Sequence, residues 1–331
     1  MSETSIIKVH LRILPGIILF SAFLYLIAYH GMSYDNGNKR YDNTKHSHHP
    51  IFVQQISRKQ IAMVMFGVPK KFNLVWHSYY RRIVDFNHRH IDVYMHFYTD
   101  VETINTPRNG EINTPVSTFN EVLREFNRTN TTVKFITSSQ TRFDKTLDDW
   151  IYQVKDVYKN NYTSIKNVFR QANSLALAFG EINQTLYDTY IFLRSDTYLM
   201  NFVDLSTSPR GIITPGWQTY NGVNDRIAIA RPEEAKIYAA RGFGYKKYME
   251  NGSNLNTEQL LQKWMRERGA RSIVEDKFPY VIRLRANMRL SKDQKNIVGL
   301  SPLDLNPIWG DKNQEKGYYE LRELMQKGRL M

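Results

Sequence analysis

The chain has 331 residues, 42% of them hydrophobic and 23% charged, which is enough apolar material for one large or two small globular domains. It contains no cysteine, which excludes disulfides, thiolate nucleophiles, cysteine-ligated zinc and iron–sulfur clusters. A formal net charge of +13 suits anionic partners such as phosphates, nucleotides, acidic glycans or lipid head groups, but the basic residues are dispersed and form no nucleic-acid module, so no nucleic-acid partner is expected.

Residues 1–12 form a short polar tail. Residues 13–29 (ILPGIILFSAFLYLIAY) carry no charge. At helical rise this run reaches roughly 26 Å, against a bilayer core of roughly 27 Å in the early secretory pathway. The small-x-small cleavage pattern is poorly met after Ala28, so the run reads as an uncleaved signal-anchor rather than a signal peptide. Lys8 and Arg12 precede it and Lys39, Arg40 and Lys45 follow, so positive charge does not orient the span. Sequons at Asn127, Asn130, Asn161, Asn183 and Asn251 fit a luminal domain. Residues 30–59 are polar and read as a stem, with His46, His48 and His49 solvated.

The globular part begins at residue 60. Residues 60–68 (QIAMVMFGV) predict a buried strand closed by Gly67 and Pro69; Lys70 and Lys71 at its carboxyl end read as a solvated loop in preference to lysines facing a diphosphate. Helical spacing over 73–87 and period-two alternation over 91–98 complete a βαβ unit, hence a parallel pair. Residues 101–116 read as a loop, followed by a short helix (119–126) and a strand (132–137). Asp148 and Asp149 are adjacent, point about 100° apart on a helix, and are expected in solvent. Residues 164–182 carry the clearest helical stripe: Ile165, Val168, Phe169, Ala172, Leu175, Phe179 and Ile182.

Residues 187–200 (YDTYIFLRSDTYLM) form the focal stretch. A short apolar run predicts a buried central strand that ends in Arg194, Ser195 and Asp196, and open α/β sheets bind ligands just past the carboxyl ends of their strands. Beyond it, 211–214 and 227–230 predict strands, and Pro232 with Glu233 and Glu234 starts a helix ending near Gly242. Asn256 caps another helix, and 280–284 predicts a last strand with Arg283 and Arg285 on its polar face. The tail, 293–331, is polar apart from a short helix near 318–325.

In order and spacing, these parts resemble GT-A-type glycosyltransferases with type II membrane topology. The likeness covers roughly 60–291 and rests on the βαβ unit, NVFRQANSLALAF, FLRSD, GVNDRIAIARPEEAKIY and NTEQLL. It implies a GT-A-like (Rossmann-like) α/β domain over 60–292, with a mixed, mostly parallel sheet flanked by helices and one transmembrane helix before it. The implied activity is transfer of a sugar from a nucleotide-sugar donor to a glycan or glycoconjugate hydroxyl, by a single-pass protein with its catalytic domain in the Golgi or ER lumen. The family's Asp-x-Asp holds a divalent cation, Mn²⁺ or Mg²⁺. Here Asp196 matches the last acid and Arg194 stands at the first, and no histidine follows His96, so metal dependence stays open. The donor site is expected at Arg194, Asp196, Arg283 and Arg285. Glu258 and Asp225 compete as general base, and Trp217 and Tyr220 are the residues expected to stack on a sugar. Two alternatives stand beside this reading: an inactive glycan-binding scaffold on the same fold, and a basic membrane-tethered protein that binds nucleic acid or lipid.

Overall fold

A computed structural model describes residues 60–106, 109–275, 280–286 and 323 of the chain. The expected anchor (13–29), its flanking tail and stem, and the 293–331 tail apart from the helical Glu323 lie outside those residues. Among the described residues no helix is long and apolar enough to cross a membrane.

The first strand, β1 (Gln60–Phe66), leads to α1 (Phe72–Tyr79), which continues through a π-helical turn (Tyr80–Val84) and Asp85–Asn87. There follow β2 (Ile91–Tyr98), a ribbon of β3 (Thr103–Thr106) and β4 (Glu111–Pro115), α2 (Phe119–Arg128) and β5 (Val133–Ser138). Next come α3 (Gln140–Ile151), α4 (Thr163–Gly180), β6 (Tyr187–Arg194) and β7 (Thr197–Leu199). The described remainder contains β8 (Ile212–Pro215), β9 (Ile227–Ala230), α5 (Pro232–Ala239), α6 (Arg241–Glu250), α7 (Thr257–Glu267), β10 (Ser272–Glu275) and β11 (Val281–Arg283).

Local chemistry sets several boundaries. Thr118 and Glu121 form a reciprocal capping box on α2, and Asn256 accepts from the Gln259 amide to start α7. Asp100 accepts the amides of Gln140 and Thr141 at the start of α3. Pro232 opens α5, where its missing amide costs nothing.

Seven strands form one sheet in the order β10-β8-β9-β6-β1-β2-β5. Every strand is parallel except β9, which runs antiparallel to both neighbours. This is the mixed, mostly parallel sheet flanked by helices that the sequence implies. Alternation along β1 divides the core. Ile61, Met63 and Met65 pack toward α1 and α2 with Trp76, Tyr79 and Phe126. Ala62, Val64 and Phe66 pack toward α4 and the later helices with Phe169, Leu175, Tyr238, Tyr245 and Trp264. Because β1 and β6 are covered on both faces, they read as continuous apolar runs.

Three expectations need correction, and one strand, β10, was not expected at all. Residues 101–116 contain the β3–β4 ribbon, whose TINT and EINTP segments cover little core and so lack apolar alternation. The helix from Pro232 ends at Ala239, and Gly242 and Gly244 lie inside α6, where a Cβ on Gly244 would stand 2.5 Å from the Trp264 ring. β10 extends the sheet edge beside β8, although its SIVE sequence is half exposed. The last strand, β11, does not join the main sheet; it pairs antiparallel with β7.

Candidate functional site

After β1 the chain builds the sheet outward through β2 and β5, then returns to place β6 on the other side of β1. This reversal makes the carboxyl ends of β1 and β6 a topological switch point, the position where open α/β sheets bind ligands. Ser195 ties the two ends together. Its amide donates to the Phe66 carbonyl at 2.9 Å, and its hydroxyl reaches the Phe66 and Gly67 carbonyls at 3.0 and 2.7 Å. The Gly67 amide in turn donates to Ser174 Oγ on α4 (2.8 Å), and Ser174 bonds the buried His96 (2.9 Å). Burial lowers the His96 pKa to about 3, so the ring is neutral and bridges Ser174 and Ser138.

Asp196 lies just past β6. Arg194 grips it with two parallel bonds, Nε to Oδ1 at 2.9 Å and Nη2 to Oδ2 at 3.0 Å. Arg283 Nε donates to the same Oδ2 at 2.9 Å, and Lys70 Nζ lies 4.0 Å away. The backbone supports this cluster: Leu284 N donates to the Asp196 carbonyl at 2.7 Å, and Tyr79 Oη donates to the Arg194 carbonyl at 2.9 Å. Arg194 and Asp196 are only 8% and 5% exposed, so their charges act in a poorly solvated setting. Burial alone would raise the Asp196 carboxyl, but Arg194, Arg283 and Lys70 overwhelm it and hold the group far below the ordinary carboxylate range.

Lys70 is buried, which corrects its reading as a solvated loop lysine. Its ammonium pairs with Glu111 at 3.0 Å, and the same Glu111 oxygen accepts the Ala286 amide at 2.8 Å. Burial, then the nearby Arg283 charge, lowers the Lys70 pKa to about 8 against the pull of Asp196 and Glu111. Arg285 joins this group through Glu111, with Nη1 3.9 Å from Oε2.

The other expected residues approach from β9 and α7. Because β9 is reversed, the residues preceding it lie beside the end of β6, where Leu193 faces Ile227. Asp225 stands 3.7 Å from Arg194 Nη1 and 3.5 Å from Gln171 Nε2. Glu258 abuts the same loop. Its carbonyl accepts the Val223 amide at 2.9 Å, and a Cβ on Gly222 would lie 2.1 Å from its carbonyl carbon. Burial, followed by the Asp225 charge, raises the Glu258 carboxyl pKa. No protein-family model matches the chain, and a search of curated proteins finds no match.

Trp217 rests on Tyr280 with ring centroids 4.2 Å apart, and the Arg226 guanidinium lies 5.8 Å from the Trp217 ring centroid. Arg226 also donates to Gln218. Tyr220 is 48% exposed, and its carbonyl accepts from Asn256 at 3.4 Å. Asp148 and Asp149 are exposed, as expected, with Asp148 paired to Lys166.

The structure thus groups Arg194, Asp196, Arg283 and Asp225 directly, attaches Glu258 through the 222–225 loop, and links Arg285 through Glu111. Sequence reasoning missed Glu111, Tyr79 and Arg226, and it preferred a solvated loop for Lys70. Only Lys70 left a signal, its place at the carboxyl end of the first strand. A divalent cation does not fit the donor set, because both Asp196 oxygens are taken by guanidinium groups. The neighbouring acids Glu111 and Asp225 already face Lys70 and Arg194.

Proposed function

We propose that this chain is a nucleotide-sugar-dependent glycosyltransferase of GT-A-like fold that moves a sugar onto a glycan or glycoconjugate hydroxyl. In this reading the 13–29 segment anchors it as a single-pass type II protein with the catalytic domain in the Golgi or ER lumen. One observation carries the proposal: Arg194, Arg283 and Lys70 gather around Asp196 at the switch point of the sheet, with Asp225 beside Arg194 and Glu258 on the adjoining loop. Glycosyl transfer requires this pairing of functions. The acceptor oxygen bonds to the anomeric carbon as the bond from that carbon to the diphosphate oxygen breaks. The departing diphosphate needs fixed positive charge, and the acceptor proton needs a base.

Arg194, Arg283, Lys70 and Arg226 supply the positive charge. Asp225 and Glu258 supply the base, and proton capture by Glu258 relieves its repulsion with Asp225. Trp217 offers a face for stacking against a sugar. The commitment of both Asp196 oxygens to Arg194 and Arg283 favours a second reading, a glycan-binding scaffold that retains the fold without turnover.

Thermal shift of the full-length chain in detergent, against UDP-, GDP- and CMP-sugars with and without Mn²⁺, tests donor binding. A bound donor raises the melting temperature. Asp225→Asn and Glu258→Gln then separate binding from chemistry: loss of the base costs roughly 100-fold or more in turnover while the shift persists. A donor that binds with no transfer or hydrolysis in the wild type selects the scaffold, and no shift with any donor overturns the glycosyltransferase reading.

A further inference from the structure

The rim meets a diphosphate with cations already assembled. Asp196 has no oxygen to spare, since Arg194 takes both and Arg283 shares one. Glu111 is backed by Lys70 and Arg285, and Asp225 by Arg194. Among the described residues no three His, Asp or Glu side chains stand together as metal ligands. A divalent ion placed against Asp196 would have to displace a guanidinium and remain among Arg194, Arg283 and Lys70, each carrying the same sign of charge.

Arg283 is built differently from the other members of the cluster. Arg194 and Lys70 have side chains only 10% and 6% exposed, whereas that of Arg283 is 32% exposed. It spends only Nε on Asp196, and among the described residues its two terminal nitrogens have no hydrogen-bond partner. Arg226 is half-buried just before β9; its carbonyl accepts the Arg194 amide at 3.3 Å, and its guanidinium donates to Gln218 over the Trp217 ring. The terminal nitrogens of Arg283 can offer directed N–H bonds to phosphate oxygens without breaking its bond to Asp196.

We propose that the rim holds the diphosphate of a nucleotide without a divalent cation: Arg283 and Arg226 grip the phosphate oxygens, while Arg194 and Lys70 supply positive charge from beneath. The inference rests on the nucleotide-sugar reading above. Asp196 then orients the two arginines instead of holding a metal, and the excess of basic over acidic groups offsets the charge that develops on the leaving diphosphate.

Titration calorimetry of the full-length chain in detergent with UDP, GDP and inorganic pyrophosphate, once in EDTA and once in excess Mn²⁺ or Mg²⁺, tests the inference. The expected result is a nucleoside diphosphate affinity in EDTA within about twofold of that with metal. Arg283→Gln should weaken it at least about tenfold, and Arg283→Lys should recover only part, because an ammonium lacks the planar fork. Near-UV circular dichroism checks that the variants are folded, and if Arg283→Gln is not, the wild-type comparison in EDTA decides alone. Binding that appears only with Mn²⁺ or Mg²⁺ overturns the inference and leaves the glycosyltransferase reading intact. An unchanged affinity in folded Arg283→Gln also overturns it. If neither UDP nor GDP binds in either condition, the inference falls together with the reading on which it rests.

Discussion

Replacing Asp196 by alanine removes the common partner of three cations. Arg194 loses a bidentate bond at 2.9 and 3.0 Å, Arg283 loses its bond at 2.9 Å, and Lys70 loses a charge 4.0 Å away. Breaking a buried pair from one side leaves the other charge uncompensated, at a cost of about 3–5 kcal/mol. That is a large share of the roughly 5–15 kcal/mol that holds a typical domain together. For a domain of this size it lowers the melting temperature by about 10 °C. Urea unfolding followed by far-UV circular dichroism measures the loss. Combining Asp196→Ala with Arg194→Met should recover stability relative to Asp196→Ala alone, with a coupling of about 1–3 kcal/mol, because the orphaned guanidinium goes too. The acid limb supplies a second readout. With its folded pKa held far down, Asp196 contributes stability that is complete above its unfolded value, about 3.9, and is lost as pH falls below it. Asp196→Ala should flatten that limb. A variant whose stability stays within about 0.5 kcal/mol of wild type refutes the buried cluster.

Lys70 gives a prediction at the alkaline end. Its pKa of about 8 means that the ammonium is available to phosphate below that pH and is lost above it, so donor affinity should fall as pH rises through 8. Lys70→Met should bind more weakly and show no such fall in the same titration. For folding the sign is opposite: a lysine with a depressed folded pKa binds fewer protons than the unfolded chain above pH 8, so its contribution to stability improves there as pH rises. Gly222→Ala should push a Cβ into the Glu258 backbone and displace the loop carrying Asp225, costing about 1–3 kcal/mol and most of the turnover. Urea unfolding and a transfer assay measure the two effects, and a variant unchanged in both shows that the loop can yield.

The sequence exposes those parts of the fold whose signal is local. β1, β6 and β9 are unbroken apolar runs because both faces of the sheet are covered, and α4 shows its buried stripe at helical spacing. The switch-point residues Arg194 and Asp196 were legible because they interrupt such a run. The hidden parts depend on distant partners. Lys70 resembles any loop lysine until Glu111, 41 residues further on, folds over it from a polar ribbon. α6 contains two glycines that weaken a helical reading, although they are there to admit Trp264 and Ala172. β10 is an edge strand of mixed polarity, and its identity comes only from pairing with β8.

The bonds that complete the rim join points 129, 87 and 175 residues apart: Ser195 to Phe66, Arg283 to Asp196, and Ala286 to Glu111. Such closures are entropically the hardest to reach, and they are rewarded only once the intervening chain is in place. A growing polypeptide can therefore lay down β1, β2 and β6 while the proposed anion-holding rim is still incomplete, because Arg283 follows Asp196 by 87 residues.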